Sequence, residues 1–299
     1  MLNPMNTVEV KPRTEPPGMR RSSLARNRAV LVLHAFCVVS ALTILGGCHH
    51  SNPEPKPTPH EDKLVVFAAA SLREAFGHES DEFKKSHPGI EVTFNFAGTQ
   101  EIRTQLEQGA PADVFASADE RHMKALLDTA KVEAPAIFAQ NEPVLVVSKE
   151  KAASIHSLAE LPLAERIVIG APEVPIGKYT LQILDKASRN LGADFRTRVE
   201  AKVVSRELNV RQVLAKVTLG EADAGIVYRT DLGPNRDKVS VVTIPPELNI
   251  IAEYPIAIVR GALHPVLSQQ WVSLILSERG QTILRDSGFI VAPANKAAH

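Results

Sequence analysis

The chain has 299 residues, of which 44% are hydrophobic, 23% charged and only 5% aromatic, and its 34 Lys and Arg balance 34 Asp and Glu. Six of the basic and two of the acidic residues precede Cys48, which leaves 28 and 32 and a net charge of −4 on the rest. That balance excludes the basic footprint of a nucleic-acid binder, and two cysteines, Cys37 and Cys48, exclude a disulfide framework or a Cys-based metal site in the body.

The first stretch carries Pro4, Pro12, Pro16 and Pro17 without an apolar period, so no fold is assigned to it, and Met19 competes with Met1 as the start. Arg20, Arg21, Arg26 and Arg28 then precede an apolar run over 29–45 that closes in Leu45-Gly46-Gly47-Cys48. Charge, apolar run, small residues and cysteine in that order read as a lipoprotein-type signal region over 1–47, cut before Cys48, with lipid attached to the Cys48 thiol. The competing reading is an uncleaved anchor, but the run falls short of the roughly 20 residues that span a bilayer. Residues 48–62 place prolines at 53, 55, 57 and 59 and read as a stiff tether. Its His49, His50 and His60 sit on an unstructured strand and make no defined metal site.

From residue 63 onward, short apolar or β-branched runs alternate with amphipathic stretches, a pattern that predicts α/β architecture with helices flanking mostly parallel sheets. Strands are predicted at 64–69, 91–96, 113–117, 144–148, 167–170, 224–228, 239–244 and 254–259. Helices are predicted at 71–86, 99–108, 120–128, 157–161, 177–191 and 210–220, with two more near the C-terminus. About 235 residues suit two α/β lobes. The break Asn141-Glu142-Pro143 suggests a division into 63–141 with 262–299 as the first lobe and 142–261 as the second.

Three strand-to-helix turns carry the chemistry. Leu64 to Ala70 runs through three alanines into Ser71; Val92 to Phe96 runs through Ala97-Gly98 into Thr99; and Gly170-Ala171-Pro172-Glu173-Val174-Pro175-Ile176-Gly177 leads into a third helix. Ligands of open α/β sheets bind at the carboxyl ends of strands, where free N–H groups and the positive helix end favour an anion. Ser71-Leu72-Arg73-Glu74 also fits a capping box, in which the hydroxyl only satisfies the helix. On that motif alone the two readings stand even.

The chain resembles the periplasmic molybdate-binding proteins of ABC importers. The resemblance rests on Val66-Phe67-Ala68-Ala69-Ala70-Ser71-Leu72, on Phe96-Ala97-Gly98-Thr99, on the run Gln108-Gly109-Ala110-Pro111-Ala112-Asp113-Val114-Phe115-Ala116-Ser117-Ala118-Asp119, and on Gly225-Ile226-Val227-Tyr228 and Glu253-Tyr254-Pro255 further along. It covers about 63–291. It implies a two-lobed type II periplasmic-binding-protein fold whose hinge strands let the lobes close on molybdate or tungstate, with no other cofactor, no cation site and no bond made or broken. It implies hydroxyl donors at Ser71 and Thr99, backbone N–H donors at Ile176 and Val210, and a phenol donor at Tyr228. The partner implied is the permease of an ABC importer, and the expected state is a monomer, periplasmic or at the cell surface, tethered to the membrane through Cys48. Thr99 followed by Gln100, where relatives have paired serines, and the bulky Ile176 leave the choice among molybdate, tungstate and sulfate open, as does a tethered sensor built on the same fold.

The other classes are weaker. A hydrolase built from Ser71, Asp113, Asp119, His78 and His122 lacks a G-x-S-x-G elbow, and both histidines fall on helical stretches whose polar face explains them. A sugar site needs aromatic rings, whereas Trp271 reads as core. An amino-acid site needs a charged clamp, for which Arg73, Arg103 and Arg211 are the candidates.

Overall fold

A computed structural model describes residues 63–291; the signal region, Cys48, the tether and residues 292–299 lie outside the described residues. The chain begins with β1 (Lys63–Ala69), a 3₁₀ turn (Ala70–Leu72), α1 (Arg73–Ser86), β2 (Glu91–Ala97), α2 (Thr99–Glu107), β3 (Val114–Ala116), α3 (Glu120–Asp128) and β4 (Ala136–Asn141). After Glu142 it continues through β5 (Pro143–Ser148), a 3₁₀ segment (Leu158–Leu163), β6 (Ile167–Gly170), α4 (Pro175–Leu191), α5 (Phe195–Glu200), β7 (Val203–Glu207), α6 (Val210–Thr218), β8 (Ala224–Tyr228) and β9 (Val239–Thr243). It ends with β10 (Ala252–Ile258), α7 (Pro265–Leu276), α8 (Glu278–Asp286) and β11 (Ile290–Val291).

Two sheets result, ordered β11-β4-β10-β3-β1-β2 and β7-β6-β8-β5-β9. Both are mixed, not mostly parallel. β1 pairs in parallel with β2 and β3, and β6 with β7 and β8, as successive strand-helix-strand units require. The exceptions arise where the chain changes sheets: β5, arriving from the first sheet, runs against β8 and β9, and β10, arriving from the second, runs against β3 and β4. The position of β10 corrects the sequence division, because residues 252–258 belong to the first sheet and the return crossing lies in 244–251. β4, β7, β11 and α5 were not among the predicted elements.

β1 is apolar almost throughout because helices cover both of its faces. On one face Phe76 and Phe83 of α1 meet the Trp271 ring edge-on, at centroid distances of 5.7 and 5.5 Å. On the other, Phe67 and Phe115 pack with Ile102, Leu106, Met123 and Leu126. Trp271 is therefore core, fully buried in an aromatic cluster.

Register then places the turns. Ala69 stands opposite Ala97, so the segments that follow β1 and β2 leave the sheet side by side. In the second sheet Gly170 stands opposite Glu207, which brings the starts of α4 and α6 together in the same way.

Candidate functional site

The four turns meet at a cavity of about 20 Å³, lined by Ala69 to Ser71 and Ala97 to Thr99 with Ala118 from the first sheet's side, and by Val174 to Ile176, Asn209, Val210 and Tyr228 from the second's. All five residues singled out in the sequence, Ser71, Thr99, Ile176, Val210 and Tyr228, line it. A single water needs about 10 to 15 Å³, so the space suits one small ion and not a sugar or an amino acid. Among the described residues no charged side chain lines it.

Ser71 lies inside the 3₁₀ turn and caps nothing: α1 starts at Arg73, and its N-cap position, Leu72, makes no side-chain cap. The Glu74 carboxylate of the would-be capping box pairs with Arg211 instead. The Ser71 hydroxyl, 3% exposed, lies 2.9 Å from the hydroxyl of Tyr254. The sequence motif that stood even is thereby resolved against capping.

Thr99 opens α2, while Gly98 occupies the N-cap position and its N–H donates to Glu101 at 3.0 Å. The Ala118 N–H donates to Thr99 Oγ1 at 3.3 Å. One Thr99 lone pair is thus occupied from within the protein, and the hydroxyl keeps its proton to donate.

Ile176 is the second residue of α4, behind Pro175, whose missing N–H and fixed φ suit a first helical position. The first-turn N–H groups of a helix have no intrahelical partner, so Ile176 presents a backbone donor, and its side chain is buried away from solvent. Gly177 allows the close seating of this turn, since a Cβ there would overlap Ala171 O and Gly170 O. Val210 opens α6 under an Asn209 cap that accepts from Gln212 N at 3.2 Å, which leaves the Val210 N–H for the cavity.

Tyr228 ends β8 with its ring fully buried and its hydroxyl without a hydrogen-bond partner among the described residues. Burial pushes its phenol well above the usual tyrosine range, so it keeps its proton. An orphaned buried hydroxyl is costly, by about 1 to 3 kcal/mol, and a ligand that accepts its proton relieves that cost. Three hydroxyls and helix-start backbone groups thus line the site, and among the described residues no carboxylate does. That inventory fits a fully ionised oxyanion.

The catalytic alternatives do not assemble at Ser71. Asp113 accepts the N–H groups of Val65 and His264 at 2.8 and 3.0 Å, and Asp119 caps α3 by accepting from His122 N at 3.0 Å. His78 is exposed. His122, expected on an exposed face, is 3% exposed, because the Glu173 loop covers it and places a carbonyl oxygen 2.9 Å from Nε2. Burial lowers its pKa. Nor do the arginines form a clamp: Arg73 lies over the Phe96 ring at 4.7 Å, Arg103 pairs with Glu107 at 3.4 Å, and Arg211 bridges Glu74 and the buried Asp231.

Sequence reasoning missed the layer behind the donors, namely Ala118, Asn141 and Tyr254. Ala118 and Tyr254 lie inside the quoted stretches, and Asn141 lies in the flagged break. No local spacing marks them, however, because each acts through a contact distant in sequence.

Residues 64–290 match the family model described as bacterial extracellular solute-binding protein. Molybdate-binding protein ModA of Mycobacterium tuberculosis is 37% identical over 259 residues, which span 84% of this chain and 95% of that protein. YvgL of Bacillus subtilis, named as an ABC transporter substrate-binding lipoprotein, is 31% identical over 259 residues, 85% of this chain and 96% of its own. The solved structure of the Azotobacter vinelandii periplasmic molybdate-binding protein, 20% identical, superposes with a TM-score of 0.67 over 77% of this chain and 100% of its own, a likeness of fold. The chain belongs to the bacterial extracellular solute-binding protein family, with the two-lobed type II periplasmic-binding-protein fold.

Proposed function

We propose that this protein captures molybdate or tungstate between its two sheets and delivers it to the permease of an ABC importer. The observation that carries this reading is the convergence of Ser71, Thr99, Ile176, Val210 and Tyr228 on one cavity of about 20 Å³ that no charged side chain lines among the described residues. A buried dianion costs several kcal/mol to desolvate, and each hydrogen bond to a charged acceptor contributes about 1.5 to 3 kcal/mol. Five such donors, three of them at helix starts, offset that cost without a charged side chain. The protein binds and releases its ion and performs no chemistry on it. The named relatives that bind molybdate, and the 37% identity of one of them, support molybdate over other tetrahedral ions.

The lipoprotein-like order around Cys48 and the lipoprotein name of YvgL support attachment to the outer face of a membrane through a lipidated Cys48. We place the first lobe at 63–141 with 252–291, the second at 143–243, and the hinge at Glu142 and 244–251. The protein acts as a monomer. Calorimetric titration of the protein with molybdate, tungstate, sulfate and phosphate tests the reading: tight binding of the first two is expected, and no binding of any oxyanion would overturn it.

A further inference from the structure

Behind Ser71 stands a hydrogen-bond chain whose direction is fixed. Asn141, the last residue of β4, accepts the Glu142 N–H on Oδ1 at 3.0 Å, which sets the orientation of its amide. Its Nδ2 therefore donates, to Thr230 Oγ1 at 2.7 Å and to the Tyr254 hydroxyl oxygen at 3.3 Å. Tyr254 is fully buried on β10, and burial keeps its phenol protonated. With its oxygen receiving from Asn141, the phenol proton needs an acceptor, and Ser71 Oγ stands 2.9 Å away. The reverse arrangement, with Ser71 donating to Tyr254, would leave the phenol proton buried without a partner, which proteins avoid. One Ser71 lone pair is thus occupied from behind, and the hydroxyl keeps its own proton to donate.

We propose that Asn141 and Tyr254 are positioning residues that hold Ser71 as a donor toward the cavity, so that the site rejects tetrahedral oxyanions carrying a proton. The inference rests on the proposed function, in which Ser71 contacts the ion. A fully ionised ion such as molybdate offers acceptors to every group it meets. Hydrogen phosphate must also place one P–OH against an acceptor, and the chain takes up one acceptor position of Ser71 Oγ and leaves its proton for the ion, as Ala118 N–H takes up one acceptor position of Thr99 Oγ1. Discrimination by an unsatisfiable group is the general route to specificity against a near-isosteric ligand.

Tyr254→Phe removes the hydroxyl and keeps the ring that packs edge-on against Phe138, Tyr228 and Phe289. The wild type, Tyr254→Phe, Ser71→Ala and the double variant are titrated with molybdate and, in competition, with inorganic phosphate. Loss of one oriented bond is expected to weaken molybdate binding about three- to tenfold in Tyr254→Phe, and the molybdate-to-phosphate preference is expected to fall because the Ser71 hydroxyl, no longer held by Tyr254, can turn a lone pair toward a P–OH. In the Ser71→Ala background the same substitution is expected to change neither quantity, the non-additivity that marks two residues acting through one group. A purely structural role for Tyr254 predicts equal losses in both backgrounds and an unchanged preference, and that result overturns the inference. A wild type that binds molybdate while Tyr254→Phe shows the same preference overturns it alone; a wild type that binds no oxyanion overturns the proposed function with it. Should Tyr254→Phe melt early, Asn141→Ala, which removes the directing amide and spares the phenol, must show the same fall in preference.

Discussion

Thr99 and Tyr228 both line the cavity with a hydroxyl, yet the protein without ligand depends on them differently. The Thr99 oxygen already serves Ala118 N–H at 3.3 Å in a buried setting. Thr99→Val removes that acceptor while keeping the shape, and it leaves a buried N–H unpaired, so it should destabilise the free protein by about 1 to 3 kcal/mol as well as weaken binding. The Tyr228 hydroxyl has no partner among the described residues, so Tyr228→Phe removes nothing that the free protein uses. Its melting temperature should stay level or rise, while molybdate affinity falls roughly tenfold or more through loss of one charge-assisted bond. Thermal melting and calorimetry on both variants separate the cases. A lowered melting temperature in Tyr228→Phe with unchanged affinity would show that the hydroxyl points away from the ion.

The turns that hold these donors are short, and their tightness depends on glycine at two points. At the head of α2, a Cβ on Gly98 would overlap Leu208 O, a carbonyl carried by the second lobe. Gln100 of the same turn donates to that carbonyl at 2.7 Å, so the two lobes are in contact there. Gly98→Ala should therefore obstruct closure rather than folding. Small-angle scattering with saturating molybdate should show a larger radius of gyration than the wild type, with weakened affinity and a nearly unchanged melting temperature. Equal compaction would show that the turn shifts to admit the methyl. How far such elements could be read from sequence follows from their surroundings. β1, β6 and β8 are covered on both faces, so their apolar runs announce them, and Ser71 and Thr99 stand out because small residues precede a hydroxyl at the strand end. β7 alternates half-buried and exposed residues in Val203–Glu207, a pattern too short and too polar to mark a strand. β4 reads Ala-Ile-Phe-Ala-Gln-Asn after a proline, and its strand character comes from its pairing with β10 across more than a hundred residues. For the same reason, the inward face of Tyr254 was legible only once β10 was seated between β3 and β4, and Val210 and Tyr228 rested on resemblance.

At the scale of the whole fold, burial raises the pKa of two carboxyls among the described residues, one in each lobe. Burial raises Asp231 to about 6 against the pull of Arg211, whose Nε lies 3.2 Å away, and raises Glu79 to about 8, with neither carboxyl oxygen of Glu79 hydrogen bonded among the described residues. Groups whose folded-state pKa is raised favour the fold most below their unfolded value, and that advantage is lost as pH climbs through the folded one. For Glu79 the window runs from about 4.5 to about 8. His122 acts in the opposite sense, since its pKa is lowered by burial and it favours the fold as pH rises. The total for the wild type is therefore a difference between opposing slopes, and a single melting curve does not resolve it. Glu79→Gln keeps the side chain's size and removes only the titrating group. The stability of Glu79→Gln relative to the wild type should accordingly grow from pH 5 to pH 8, at up to one proton's slope, on the order of 1 kcal/mol per pH unit. Denaturant unfolding of both proteins at intervals across that range measures the gap. A gap that stays constant would mean that the Glu79 carboxyl is ionised in the folded protein and finds a partner.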